Sequence, residues 1–262
     1  MTKINVVPTV SASTSKVPTP QLMMTMKKMT MMMTMMMLMS GLVLGEQQPC
    51  PSEECSCYGT ELVDCLGRRL TTVPKFQPSN VSYDTLRLTD NFIASIGASA
   101  FSGIRFRKLE MLNNPLQFVA PTAFAGLESM LADVVLSLDK TEALFPHRAL
   151  RQLRNLTALT VTDFGGSRLP TGALSDLRTL KELHLTGGNL ETLAVADVAG
   201  QRSTLEILDI SDNKLRDFPT DTIRSLAALK VLNIRENLID HLGGSSIVSS
   251  SLELMPARSS AW

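Results

Sequence analysis

After Cys65 the chain contains no cysteine, so everything beyond that point must fold without a cross-link. Only three histidines occur, His147, His184 and His241, and none stands at a metal-ligand spacing from another. No glycine-rich loop of the phosphate-cradling type is present, which excludes the common nucleotide-binding motifs. A net charge is also missing, since 25 basic residues balance 25 acidic ones. The longest apolar run, Met29 to Leu44, is broken by Thr30, Thr34 and Ser40. It falls short of the ~20 residues that a membrane-spanning helix needs.

What that run does have is a positive flank, Lys27 and Lys28, and the small or aliphatic residues Val43, Leu44 and Gly45 at its end. This is the pattern of a signal peptide over residues 23–45, cleaved near Gly45. Residues 1–22 are polar and read as a disordered extension, or as residues ahead of a true start at Met23, Met24 or Met26. The methionines of the run fit a signal core better than copper binding. Losing residues 1–45 removes Lys3, Lys16, Lys27 and Lys28 and no acid, so the mature chain holds 21 basic against 25 acidic residues, a net charge of −4. That balance argues against nucleic acid or heparin as the main partner.

All four cysteines, Cys50, Cys55, Cys57 and Cys65, fall in one short stretch of residues 46–74. Zinc could be held by such a set. Beside an export signal, an even cluster reads as a disulfide module, with three pairings open.

From Tyr83 to Leu242 a unit L-x-x-L-x-L-x-x-N-x-L recurs seven times at intervals of 23 to 25 residues. Its clearest copy is Leu205, Leu208, Ile210, Asn213 and Leu215. One unit cannot bury its apolar face alone, so the copies must stack into a solenoid. The asparagine slot falls at Asn91, Asn114, Asp139, Phe164, Gly188, Asn213 and Asn237. Asp139 is expected to do part of the work of a buried amide, and Phe164 and Gly188 none. A less regular ladder is therefore expected between residues 139 and 190, with water or backbone shifts covering the deficit. A second apolar mark, Phe101, Phe124, Leu150, Leu174, Val198 and Ile223, belongs on the convex side. Short helical or 3₁₀ turns are expected after Pro121, Pro146, Pro170 and Pro219.

These residues resemble the extracellular leucine-rich repeat family, in its typical 24-residue subtype. Cys50-Pro51, Cys55-Ser56-Cys57, Val63-Asp64-Cys65, Leu70 and Val73-Pro74 are similar to its cysteine-rich N-terminal cap. The repeat texture is similar to adhesion and receptor ectodomains of chaoptin, Toll and Slit type. The resemblance implies an α/β solenoid, a horseshoe with a parallel concave sheet. It also implies a cap bonded Cys50–Cys57 and Cys55–Cys65. Family members often close with a second cysteine cap, which residues 243–262 lack; that stretch reads as an irregular tail after repeats spanning 75–242. Membrane association is expected only if the chain is part of a longer receptor.

Each strand segment alternates with period two, so the residues between core leucines face outward. One stripe is Arg87, Glu110, Val135, Thr160, His184, Asp209 and Asn233. Beside it run Thr85, Lys108, Asp133, Ala158, Glu182, Ile207 and Val231. Mixed charges and exposed aliphatics suit a protein ligand, against the alternative of a merely solvated face. His184, Asp209 and Ser211 could form a hydrolytic trio, but no pocket or oxyanion hole accompanies them, and no catalysis and no cofactor are expected. Asp163, Asp212 and Glu236 line one rim, too sparse for calcium, and no metal is expected. Asn80 and Asn155 lie in glycosylation sequons. The sequence thus reads as a secreted or cell-surface protein that recognises another protein. The second reading is a non-catalytic accessory or structural subunit that scaffolds a partner enzyme or matrix component.

Overall fold

A computed structural model describes residues 50–141 and 143–240 and the backbone of 253–255. The chain divides into two compact units, residues 1–47 and 48–262, and every described residue belongs to the second. The expected signal peptide, the extension before it, most of the tail and His241 lie outside the described residues.

A ten-stranded sheet organises this unit. It opens with an antiparallel pair, β1 (Ser56–Tyr58) and β2 (Leu62–Asp64). β3 (Ser82–Arg87) then pairs with β2, and every later junction in the sheet is parallel. A separate two-stranded ribbon joins β4 (Ser95–Ile96) to β6 (Phe118–Val119). The main sheet continues through β5 (Arg105–Leu116), β7 (Asp133–Leu138), β8 (Ala158–Thr162), β9 (Glu182–Thr186), β10 (Ile207–Asp209), β11 (Val231–Asn233) and β12 (Glu253–Met255). The expectation of an irregular tail is corrected at these last three residues. Leu254 pairs with Leu232 and extends the sheet beyond residue 242.

Alternation along the strands builds the core. Leu86, Leu109, Val134, Leu159, Leu183, Leu208 and Leu232 sit in register across successive strands, and all are fully buried. On the opposite side Phe101, Phe124, Leu150, Leu174, Val198 and Ile223 close the core, as their spacing anticipated. Phe101 stacks on Phe124 at 5.7 Å and meets Phe106 edge-on at 5.4 Å, so aromatic packing fills the first two turns.

Convex helices are fewer than the prolines suggested. Helix α1 (His147–Leu150) follows Pro146, and α2 (Thr220–Ser225) follows Pro219. A 3₁₀ turn, Ala199–Gln201, forms without a proline. After Pro121 and Pro170 the chain makes only successive turns. Gly172, at φ 70°, interrupts the second of these at once, and Gly126, at φ 89°, ends the first. A left-handed residue cannot continue a right-handed helix.

The cap carries the pairing that the family resemblance implied, Cys50–Cys57 and Cys55–Cys65. Val63 and Cys65 are fully buried. β2 therefore covers the open edge of β3 with a cross-linked hairpin, a standard protection for an exposed row of strand donors.

The asparagines form the expected ladder at both ends, buried at Asn91, Asn114 and Asn213 and half-buried at Asn237. Asn213 accepts from Leu190 N–H at 3.1 Å and donates to the carbonyls of Leu185, Ile210 and Ser211. Asn91, Asn114 and Asn237 repeat this scheme. Asp139 does not join it, which corrects the expectation. Its carboxylate turns outward to Thr141 and Gln117. Buried Ser137 takes the place, accepting from Asn114 N–H at 3.2 Å and donating to the Met111 carbonyl at 3.4 Å. The cause lies in the register. Met111 pairs with Leu136 and Leu116 with Leu138, so β7 crosses in two residues what β5 crosses in five.

The ladder is less regular between residues 139 and 190, as expected, but the irregularity does not reach the sheet. β7–β8 and β8–β9 each hold five consecutive in-register pairs, against three at β9–β10 and β10–β11. At the two remaining weak slots the backbone closes up. Asn189 N–H donates to the Phe164 carbonyl at 2.9 Å, and the Phe164 ring packs edge-on against Phe145 at 5.5 Å. A Cβ on Gly188 would stand 2.6 Å from that same carbonyl, so only glycine permits the approach.

Candidate functional site

Strand register places the outward residues as alternation demanded. Arg87, Glu110, Val135, Thr160, His184, Asp209 and Asn233 follow one another across the sheet, and Thr85, Lys108, Asp133, Ala158, Glu182, Ile207 and Val231 run alongside. Neighbouring members stand one strand apart, ~4.8 Å. The two stripes differ in what their charges do along their length.

At the cap end the charges satisfy one another. Asp64 lies 3.7 Å from Arg87, which is 3.0 Å from Glu110. Lys108 then bridges Glu110 at 3.0 Å and Asp133 at 3.4 Å. Burial works against ionisation of Lys108, but Glu110 and Asp133 outweigh it and push its ammonium up from the usual lysine range. The Glu110 carboxyl is likewise opposed by burial and held below its usual range by Lys108 and Arg87. Asp64 is the member that the sequence-based set lacks. Its signal was the alternation Leu62-Val63-Asp64, which puts Asp64 in register with Arg87.

In the middle the face loses its charge. Val135, Ala158, Thr160 and Thr162 are all half-buried. Beyond them Glu182 is exposed, without an ion pair among the described residues. Ile207 and Val231 continue this stretch as half-buried aliphatics.

A second polar knot centres on Asp209. Ser211 donates to Oδ1 from its hydroxyl at 2.6 Å and from its backbone at 2.9 Å. Asn233 donates to Oδ2 at 2.9 Å, and His184 Nδ1 lies 3.8 Å from the same oxygen. Burial raises the Asp209 carboxyl, but these donors prevail and hold it at about 2. A depressed acid stabilises the fold above its ordinary pKa and loses that contribution as pH falls toward about 2. Acid titration of Asp209→Asn is therefore expected to lack an unfolding component that the wild type shows between about pH 4 and 2. At neutral pH the variant should be less stable by at most about 2 kcal/mol. Superimposable pH profiles would remove the role assigned to this carboxylate.

The same knot bears on catalysis. In a nucleophilic trio the base must touch the hydroxyl. Here the carboxylate receives the Ser211 hydroxyl directly, and the imidazole lies on the carboxylate's other oxygen. This is a positioning network rather than an activated serine.

Asp163, Asp212 and Glu236 have a backbone role. Each follows a concave strand at positive φ, 63°, 52° and 53°; Asp90 and Asn113 hold the same backbone in the first two repeats, Asn113 within β5. Asp163 also pairs with Lys140 at 3.4 Å. Among the described residues no cluster of three metal-ligating side chains occurs. His147 Nδ1 lies 3.1 Å from the Phe145 carbonyl. Asn80 and Asn155 are both exposed and precede β3 and β8, and the Asn155 amide donates to the Ser129 carbonyl.

The profile of the family described as leucine rich repeat matches residues 203–255. A zebrafish (Danio rerio) protein named transforming growth factor beta activator LRRC33 is 28% identical over 184 residues, covering 69% of this chain and 23% of that relative. Trophoblast glycoprotein of Macaca fascicularis is 27% identical over 242 residues, covering 77% of this chain and 53% of the relative. The chain thus spans about half or less of these proteins. The crystal structure of human trophoblast glycoprotein superposes with a TM-score of 0.53 at 24% identity, covering 72% of this chain and 82% of that one. That likeness establishes the solenoid fold.

Proposed function

We propose that this chain, a leucine-rich repeat protein with a disulfide-bonded N-terminal cap, acts outside the cell as a non-catalytic module that binds a protein ligand through its concave face. Two disulfides support an oxidising compartment, secreted or at the cell surface. Among the described residues no helix is long and apolar enough to cross a membrane. Asn80 and Asn155 are assigned as glycan carriers on their exposure within the sequons.

The single observation that carries the reading is the contrast along the concave face. Charges at the cap end are already paired, and Asp209 is tied into the scaffold. The stretch from Val135 to Val231 offers apolar area, threonine hydroxyls and the unpaired Glu182. A protein interface wants such a composition, burial from aliphatics and register from a few charges. Arg87, Lys108, Glu110 and Asp133 would then border the contact, and Thr160, Glu182 and His184 would lie within it.

The test is capture of partners from extracellular fluid with the secreted protein, compared with Thr160→Arg/Glu182→Lys. Asp209 is a poor probe, because reversing it would break the knot around it. Loss of about 90% of the captured partner is expected, equivalent to a tenfold weaker association. Undiminished capture would move binding off this face. The accessory-subunit reading would then gain, because Phe92 and Phe118 are 61% and 57% exposed away from the concave stripes and offer another apolar contact.

A further inference from the structure

Parallel strands all begin at one edge of the sheet, and two arginines hold the same place at that edge in successive repeats. Arg154 stands four residues before β8 and Arg178 four residues before β9. One strand spacing, ~4.8 Å, separates their repeats. Both line an open groove of about 810 Å³ with Arg151, Ser129 and Gln152. The groove is lined by three arginines and two acids, a surplus of one positive charge. Asp176 pairs with Arg151 at 3.4 Å, and Glu128 accepts the Gly126 N–H at 3.0 Å. Arg154 and Arg178 have no ion pair among the described residues. The surplus positive charge is open to an anion from solution, and the planar fork of a guanidinium suits sulfate or carboxylate.

The lining also says what kind of anion fits. Every side chain in it is polar or charged. A peptide ligand would look for an aromatic or aliphatic anchor site, and the groove has none. We infer that this groove binds an anionic saccharide, with Arg154 and Arg178 clamping one sulfate or carboxylate of the sugar. The site is local and lies outside the concave stripes, so it is compatible with a mature chain of net charge −4.

Calorimetry on the secreted protein tests the assignment, with a heparin-derived hexasaccharide and with sialyllactose as probes. Saturable binding of the hexasaccharide alone identifies a sulfated sugar, and binding of sialyllactose as well identifies a carboxylated one. Arg154→Ala/Arg178→Ala is expected to weaken binding about tenfold or more, and Arg216→Ala/Arg235→Ala, on the opposite edge, to leave it unchanged. Should the paired alanine variant fail to fold, Arg178→Gln alone is expected to give a loss of about threefold or more with an unaltered thermal transition. The inference is overturned if neither sugar binds, if the arginine variants bind as tightly as the wild type, or if an oligoglutamate peptide displaces the sugar at equal charge concentration.

Discussion

Asn213→Ala is expected to lower the free energy of unfolding by about 3–5 kcal/mol, among the largest effects available to a polar substitution in this fold. The Asn213 side chain is buried, accepts one backbone N–H and donates to three carbonyls drawn from two adjacent repeats. Alanine would leave the Leu190 N–H and the Leu185 carbonyl without the amide that meets them, while the Ile210 carbonyl keeps its bond from Asn237 at 2.9 Å. Each stranded group costs about 1–3 kcal/mol. In a solenoid such a loss is felt at one interface between repeats, so the far end can separate from the rest. Urea unfolding followed by circular dichroism should show an earlier midpoint or a second transition. Asp139→Ala provides the contrast. Asp139 lies in the sequence slot but outside the ladder, and its loss should cost no more than about 0.5 kcal/mol. If the two variants unfold alike, the ladder described here does not hold the repeats together.

Gly165→Ala should be at least as damaging, for a steric reason. A methyl group built on Gly165 would lie 1.8 Å from the Lys140 carbonyl oxygen and 2.7 Å from its carbon. Neither atom belongs to a flexible side chain, so the strand-exit loops of two repeats must move apart. Relief on that scale costs about 3 kcal/mol or more in a packed interior and would also disturb the neighbouring contact of Phe164 with Phe145. The adjacent loss of a disordered glycine's entropy would give only about 0.5–1 kcal/mol in the opposite direction. Gly97→Ala serves as the control, because nothing lies within 4 Å of its added carbon. A thermal midpoint for Gly165→Ala within about 2 °C of the wild type would contradict the close approach of these loops.

These two cases show where the sequence was legible. Periodicity two within strands and 23 to 25 between them was enough to place Leu86 through Leu232 in one buried column and to order both concave stripes without error. Those outcomes depend only on alternation and on counting. Slot assignment by counting failed at Asp139, because β7 leaves out three residues of the loop that β5 contains and Ser137 becomes the inward group. No single-residue rule signals a deletion that the next repeat's length conceals. Gly188 was legible as the absence of an amide and not as a need for a side chain to be absent, and Gly165 gave no signal at all. That distinction exists only when the neighbouring carbonyl is in place. The ion-paired half of the concave face and its open half were likewise hidden, since both are written with the same alphabet of mixed residues. Short helical or 3₁₀ turns were anticipated after Pro121 and Pro170 because proline favours helix starts; the chain turns there, and the glycines that follow stop it from extending into a helix.

The corner residues at positive φ have an effect beyond shaping turns. Aspartate and asparagine tolerate that backbone, which leaves Asp90, Asp163 and Asp212, with Glu236, along the edge where strands end. Asp163 is met there by Lys140, and on the edge where strands begin Lys181 and Lys230 are both met by Glu206. Each flank thus answers much of its own charge at contact distance. Fields built from such close pairs fade within about 8 Å at physiological ionic strength, so these corners leave little long-range steering, and the orientation of an approaching surface would be settled on contact.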